Sequence, residues 1–175
     1  MNLAESKKRN NISEYIIHMY QTEDLIRVYD FDMEKIEEYV IKHIPLEDKS
    51  ELKQWYSQIA EEMKKEGIEE KGHLTDVQNI ATELGELKDE LLNTDEAFKK
   101  TYKEALPHIK KSLELSQGQV TDEVQACLNG VYGLLLLRMN GKNVPDELME
   151  SINAFGNVLS YLSYKYKQRH YLNEN

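Results

Sequence analysis

The polar residue that stands out in this sequence is Glu23, because the helical pattern around it is otherwise apolar. Ile16, Met19 and Ile26 fall in one arc of a helical wheel, and Glu23 falls inside that arc. Arg27 follows one turn later, at i+4. An unpaired buried carboxylate is costly, so we expect Glu23 and Arg27 to form a buried ion pair.

Three residues of an apolar segment further along the chain are expected to extend this ion pair into a polar cluster. They are Asn129, Tyr132 and Arg138. One interpretation is a structural network that fixes the register of the helices. The other is that these five residues form the floor of a pocket for a small polar or anionic ligand of unknown identity. The sequence leaves both interpretations open.

A second set of acidic residues has the spacing of a magnesium site. Glu83, Glu86 and Asp89 lie at helical steps within ELGELKDE. Helical nucleotide pyrophosphatases hold Mg²⁺ with carboxylates at i and i+3, because a hard cation prefers several oxygen ligands. The same positions also suit solvated charges beside a heptad seam. A Mg²⁺-dependent nucleotide pyrophosphohydrolase is therefore the alternative function.

Other catalytic and cofactor patterns are missing from the sequence. There is no Gly-x-Ser-x-Gly elbow and no glycine loop for phosphate. Glu70 and His73 have the Glu-x-x-His spacing of a di-iron bundle, but they flank Gly72 in a predicted turn instead of a helix. We expect no cofactor.

Charge and composition limit which binding partners and which cellular compartment are expected for this chain. The chain has 175 residues, enough for one domain with a core of its own, and a formal charge of −10 that disfavours nucleic acid. The lone cysteine, Cys127, lies in an apolar segment and suits a reducing compartment. No stretch resembles a signal peptide or reaches the length of a membrane span. These features predict a cytoplasmic protein that does not bind membranes.

The segment that must organise the fold is VQACLNGVYGLLLLRM, residues 124–139. Its apolar residues cover every side of a helical wheel, and such a helix must be covered all round. Amphipathic segments elsewhere have helical periods, and none has the period of a strand. We therefore predict an all-α, single-domain bundle over residues 1–175, with about seven helices around a central apolar helix at about 122–139 and fraying termini at about 1–4 and 172–175.

Local signals set the predicted helix boundaries. The first helix is expected to run unbroken over residues 4–29. Asp32 and Asp95 are predicted N-caps, and Gly67 is a predicted C-cap. Pro107 is expected to kink a helix or divide it in two.

Three segments resemble a known family in their order and spacing. They are NISEYIIHMYQTEDLIR at 11–27, EGIEEKGHL at 66–74 and CLNGVYGLLLLRMNGK at 127–142. They are similar to the bacterial family called domain of unknown function 4924. The resemblance implies a helical bacterial protein of about this length, and it implies no activity, cofactor or site residue.

The function favoured by the sequence is binding without catalysis. The chain has eleven tyrosines and one tryptophan, more large aromatic side chains than a small core needs to bury. Aromatic residues are enriched in interfaces. We expect a protein-interaction or small-ligand-binding bundle that forms a homodimer through an exposed aromatic or heptad face.

Overall fold

The computed structural model describes residues 2–172, and this part of the chain is all-α, as predicted, with eight α-helices and no strand. The predicted fraying at residues 1 and 173–175 lies outside the described residues. A 3₁₀ turn at Ile41–His43 and a π-helical turn at Gln168–Leu172 accompany the helices. The helices are α1 (Leu3–Asn10), α2 (Ile12–Val28), α3 (Met33–Tyr39), α4 (Ser50–Glu66), α5 (Thr75–Thr94), α6 (Glu96–Leu115), α7 (Glu123–Met139) and α8 (Asp146–Lys167).

The first predicted helix is divided at Asn11. This residue is extended, with φ −154° and ψ 100°, and its side-chain oxygen accepts a hydrogen bond from the N–H of Glu14. It ends α1 and caps α2, so the prediction of one continuous helix is wrong. The physical reason is that asparagine supplies an N-cap acceptor more readily than it continues a helix.

The other boundary signals act mostly as predicted. Asp32 and Asp95 are the N-caps of α3 and α6, and Gly67 ends α4 in the left-handed conformation with φ 70°. Pro107 does not divide α6, which runs unbroken through it. Tyr102 and Ile109 are buried on either side of the proline, so packing holds the helix together where a backbone hydrogen bond is lost.

The core closes around α8, which contacts α2, α5, α6 and α7. Its buried face includes Phe155, Leu159 and Leu162. Gly130 of α7 lies directly against the Phe155 ring, where an added Cβ would come within 2.6 Å of a ring carbon. The glycine therefore allows α7 and α8 to approach closely.

The apolar helix α7 also packs against α2, α5, α6 and α8. Val124, Cys127 and Leu128 in its first half are buried, which agrees with the predicted central helix. Its second half is less well covered than expected, because Leu136 is 37% and Met139 53% exposed. Val131 and Leu135 in the same half are only partly buried, and they line a groove between α2 and α7. No helix within residues 2–172 combines the length and apolarity needed to cross a bilayer.

Candidate functional site around Glu23

Glu23 lies on α2 and is fully buried, with 0% of its surface exposed. One carboxylate oxygen is 2.9 Å from His73 Nδ1, and the other accepts a hydrogen bond of 2.8 Å from the backbone N–H of Leu74. Leu74 is the N-cap of α5. The carboxylate therefore lies at the positive end of the α5 dipole, which stabilises its negative charge.

The expected ion pair between Glu23 and Arg27 is not formed. Arg27 Nη1 instead contacts Asp24 Oδ1 at 3.1 Å, and its guanidinium donates to the carbonyl oxygens of Ile68 and Gly72. The physical reason is that these carbonyls lie in the connection between α4 and α5, where no helix supplies them with donors. Arg27 and Glu23 therefore both bind this connection, Arg27 through carbonyl oxygens of Ile68 and Gly72 and Glu23 through His73 and the N–H of Leu74.

Two tyrosines complete the network. The Tyr20 ring stacks on His73, with ring centroids 3.8 Å apart, and the Tyr20 hydroxyl accepts a hydrogen bond from the Gln125 amide. The Tyr132 hydroxyl donates to Asp24 Oδ2 at 2.5 Å. Burial raises the pKa of Tyr20 to about 12, and burial with the nearby Asp24 carboxylate raises the pKa of Tyr132 as well. Both phenols therefore stay protonated at neutral pH.

The structure brings four of the five predicted cluster residues together. Glu23, Arg27 and Tyr132 belong to the network directly. Asn129 is exposed and joins its edge by accepting a hydrogen bond of 2.9 Å from the Gln125 amide. Arg138 is separate, because it lies beside the groove between α2 and α7.

Sequence reasoning missed the partners that matter most to Glu23. His73 is 50 residues away along the chain, in a connection that has no periodic pattern. The sequence nevertheless contained an indication that these residues meet. The three segments that carry the family resemblance supply Glu23, His73 and Tyr132, and they meet at this one place.

This network can do more for structure than for catalysis. Within residues 2–172, every buried side-chain nitrogen and oxygen has a hydrogen-bond partner. A carboxylate held by two donors and an arginine held by backbone carbonyls fix the α4–α5 connection against α2. Surfaces suited to binding lie beside the network, along α7.

A groove of about 350 Å³ runs between α2 and the second half of α7. Its wall is largely aliphatic, and its polar groups include two cations. The residues that line it are Lys7, Glu14, Ile17, His18, Gln21, Val131, Leu134, Leu135 and Arg138. Its volume is at the lower end of the range of about 300–1,000 Å³ typical of small-molecule sites.

A second surface is the outward stripe of α7 formed by Asn129, Gly133, Leu136 and Asn140. Asn129, Leu136 and Asn140 are exposed. A Cβ added at Gly133 would meet open space. The stripe is therefore an apolar centre between two amide side chains, with room for another helix to approach.

Two of the three acidic residues of the alternative function, Glu83 and Asp89, contact basic neighbours. Glu83 contacts His170 Nε2 at 2.6 Å, and Asp89 contacts Lys88 at 2.7 Å. Glu86 borders one cleft with Asp89 and another with Glu83. Nowhere in residues 2–172 do three or more His, Cys, Asp or Glu side chains form a group suited to a metal ion.

Comparison with known proteins identifies the family and nothing beyond it. No curated protein and no solved structure matches the chain. One family model, described as Domain of unknown function (DUF4924), matches residues 1–172 and so covers nearly the whole sequence. The chain therefore belongs to the DUF4924 family.

Proposed function

We propose that this protein is a non-enzymatic binding module and that the second half of α7 is its binding face. The observation that carries the proposal is the exposure of Leu136 and Met139 on a helix whose sequence is apolar on every side. Apolar surface left in water loses about 25 cal/mol of stabilisation per Å². A partner that covers this half of α7 recovers that free energy.

The partner in this proposal is a second copy of the chain. Asn129, Gly133, Leu136 and Asn140 follow one another at steps of four, three and four, which is the spacing of a helix–helix seam. A twofold dimer places this stripe against itself. The open space at Gly133 lets two α7 helices cross closely, while the asparagines pair at either side.

The charge of the protein adds a measurable property to this dimer. Two copies, each with a formal charge of −10, repel one another at long range. Salt screens that repulsion, with a Debye length of about 10 Å at 0.1 M ionic strength. The dimer is therefore expected to strengthen as salt is added, unlike an association held by surface ion pairs. The proposal includes a reducing, cytoplasmic setting in bacteria, which the free and buried Cys127 supports.

The test compares the mass of wild-type protein with two variants by light scattering after size-exclusion chromatography. Leu136→Lys puts a charge in the middle of the stripe and should give a monomer. Leu46→Lys is the matched control, because Leu46 is a 52% exposed leucine in the α3–α4 connection and should leave the dimer intact. A wild-type monomer at all concentrations, or a dimeric Leu136→Lys variant, would refute the proposal.

A Mg²⁺-dependent nucleotide pyrophosphohydrolase remains the alternative proposal. Its support is that Glu86 shares one cleft with Asp89 and another with Glu83. For this function, Mg²⁺ has to displace the contacts of Glu83 with His170 and of Asp89 with Lys88. Millimolar Mg²⁺ or Mn²⁺ should raise the melting temperature if these carboxylates bind metal, and should not raise it in a Glu86→Gln variant. Equal melting temperatures with and without metal would reject the alternative.

A further inference from the structure

The groove between α2 and α7 has an apolar wall with cations beside it. Ile17 of α2 and Val131, Leu134 and Leu135 of α7 provide aliphatic side chains. Lys7 of α1 and Arg138 of α7 border the same groove, together with the carboxylate of Glu14. The combination suits a molecule with an aliphatic part and an anionic part.

The positive charge at this groove is unusual for so acidic a chain. Lys7 contacts Glu14 at 3.5 Å, which offsets part of its charge, whereas Arg138 is exposed at the end of α7. His18, which lines the groove, has its pKa lowered by burial and also by the positive charge of Lys7. The charge of Lys7 is therefore felt inside the groove in spite of Glu14.

We propose that this groove binds an amphiphilic carboxylate, with the aliphatic chain against Ile17, Val131 and Leu134 and the carboxylate on Arg138. An arginine guanidinium pairs with a carboxylate through two parallel hydrogen bonds, which sets the orientation of the ligand. Lys7 adds a second positive charge, which Glu14 offsets in part. The proposal goes beyond self-association, because it assigns a ligand to residues outside the outward stripe of α7.

Charge and apolarity are both needed for this assignment. A small polar anion gains little from the four aliphatic side chains, and an alcohol with a long alkyl chain forms no ion pair with Lys7 or Arg138. The matched probes are therefore decanoate, acetate and decanol. Decanoate combines the two features, and each of the others has only one.

The single tryptophan of the chain provides a local readout. Trp55 stacks on His18, with ring centroids 5.6 Å apart and planes inclined by 16°. A ligand that contacts His18 should change the emission of Trp55. Titration calorimetry supplies the stoichiometry, and far-ultraviolet circular dichroism verifies that the protein stays folded.

The experiment titrates decanoate into the full chain. We expect one site per chain, a change in Trp55 emission, and weaker binding of both acetate and decanol. Arg138→Gln should weaken decanoate binding about fivefold, since a well-oriented pair between an exposed arginine and a carboxylate is worth about 1 kcal/mol. Lys142→Gln, which removes an exposed cation just beyond α7, should leave decanoate binding unchanged.

Three results would overturn the proposal. They are decanol binding as tightly as decanoate, acetate producing the same change as decanoate, and Arg138→Gln binding like the wild type. The Leu136→Lys variant separates this proposal from the dimer, because it keeps every residue that lines the groove. A monomeric Leu136→Lys protein that still binds decanoate supports both proposals, whereas a wild-type monomer that binds decanoate rejects the dimer alone.

Discussion

Replacing Glu23 by glutamine tests whether a buried carboxylate holds the α4–α5 connection in place. Glutamine has nearly the same shape but no charge, so it weakens the bonds to His73 and Leu74 without leaving a cavity. Hydrogen bonds to a charged group contribute about 1.5–3 kcal/mol and neutral ones about 0.5–1.5 kcal/mol. The two bonds together should therefore lose about 2–3 kcal/mol of unfolding free energy.

Urea unfolding followed by circular dichroism measures this loss, and thermal unfolding provides a second measurement. A change of 1 kcal/mol shifts the melting temperature by about 2–4 °C in a chain of 150–250 residues. Glu23→Leu removes both acceptors and should cost more, about 3–5 kcal/mol.

Glu38→Gln is the control for removing one negative charge. Glu38 contacts Lys42 at 3.2 Å on the surface, and an exposed pair of this kind is worth about 0–1 kcal/mol. If Glu23→Gln destabilises the protein no more than this control does, Glu23 is not a charged acceptor for His73 and Leu74 and the reasoning fails.

Three other predictions concern Gly130, His18 and Cys127. Gly130→Ala should cost about 1–3 kcal/mol in urea unfolding, because its Cβ meets the Phe155 ring, and Phe155→Leu in the same chain should restore part of the loss. The pKa of His18 in the folded protein should lie below its ordinary value of about 6.5, and the emission of Trp55 can follow its titration. The stability that the neutral imidazole contributes is therefore lost as pH falls from about 6.5 through the folded-state pKa. A titration midpoint at or above about 6.5 would contradict this prediction. Burial raises the pKa of the Cys127 thiol to about 12, so a thiol reagent should modify it no faster than the protein unfolds globally; rapid labelling of folded protein would show an accessible thiol.

The features that sequence could predict are those set by periodicity and local caps. Helical spacing of apolar residues predicted an all-α bundle, and Asp32, Asp95 and Gly67 marked three boundaries correctly. Asn11 was misassigned even though it carries a signal of its own. Asparagine is a preferred N-cap residue and a poor residue for a helix interior, so two helices meeting at Asn11 was the better interpretation.

The candidate site shows what periodicity cannot supply. The burial of Glu23 followed from its position among Ile16, Met19 and Ile26, because a helical wheel locates one face of one helix. Its partner could not be found this way, since His73 lies in an irregular connection and reaches Glu23 only through the tertiary fold. An i+4 neighbour such as Arg27 is only one of the possible partners of Glu23. Here Arg27 instead donates hydrogen bonds to the carbonyl oxygens of Ile68 and Gly72 in the α4–α5 connection.

The uncovered half of α7 has a related explanation. Sequence shows that a segment is apolar on every side, but it does not show which of those sides the rest of the chain reaches. Leu128 and Leu136 are the same residue type two turns apart on one helix, yet the first is buried and the second is exposed. The difference comes from the neighbouring helices.

The position of α8 governs the order in which a nascent chain can fold. Ser163 of α8 contacts Ser13 of α2 across 150 residues, with their hydroxyl oxygens 2.6 Å apart, so α2 cannot complete its packing until α8 has been synthesised. Until α8 emerges, the surfaces of α2, α5, α6 and α7 that it will cover remain open to chaperones. Translation arrested before α8 should therefore yield a protease-sensitive chain, and a chain extended through α8 should gain protection in a single step.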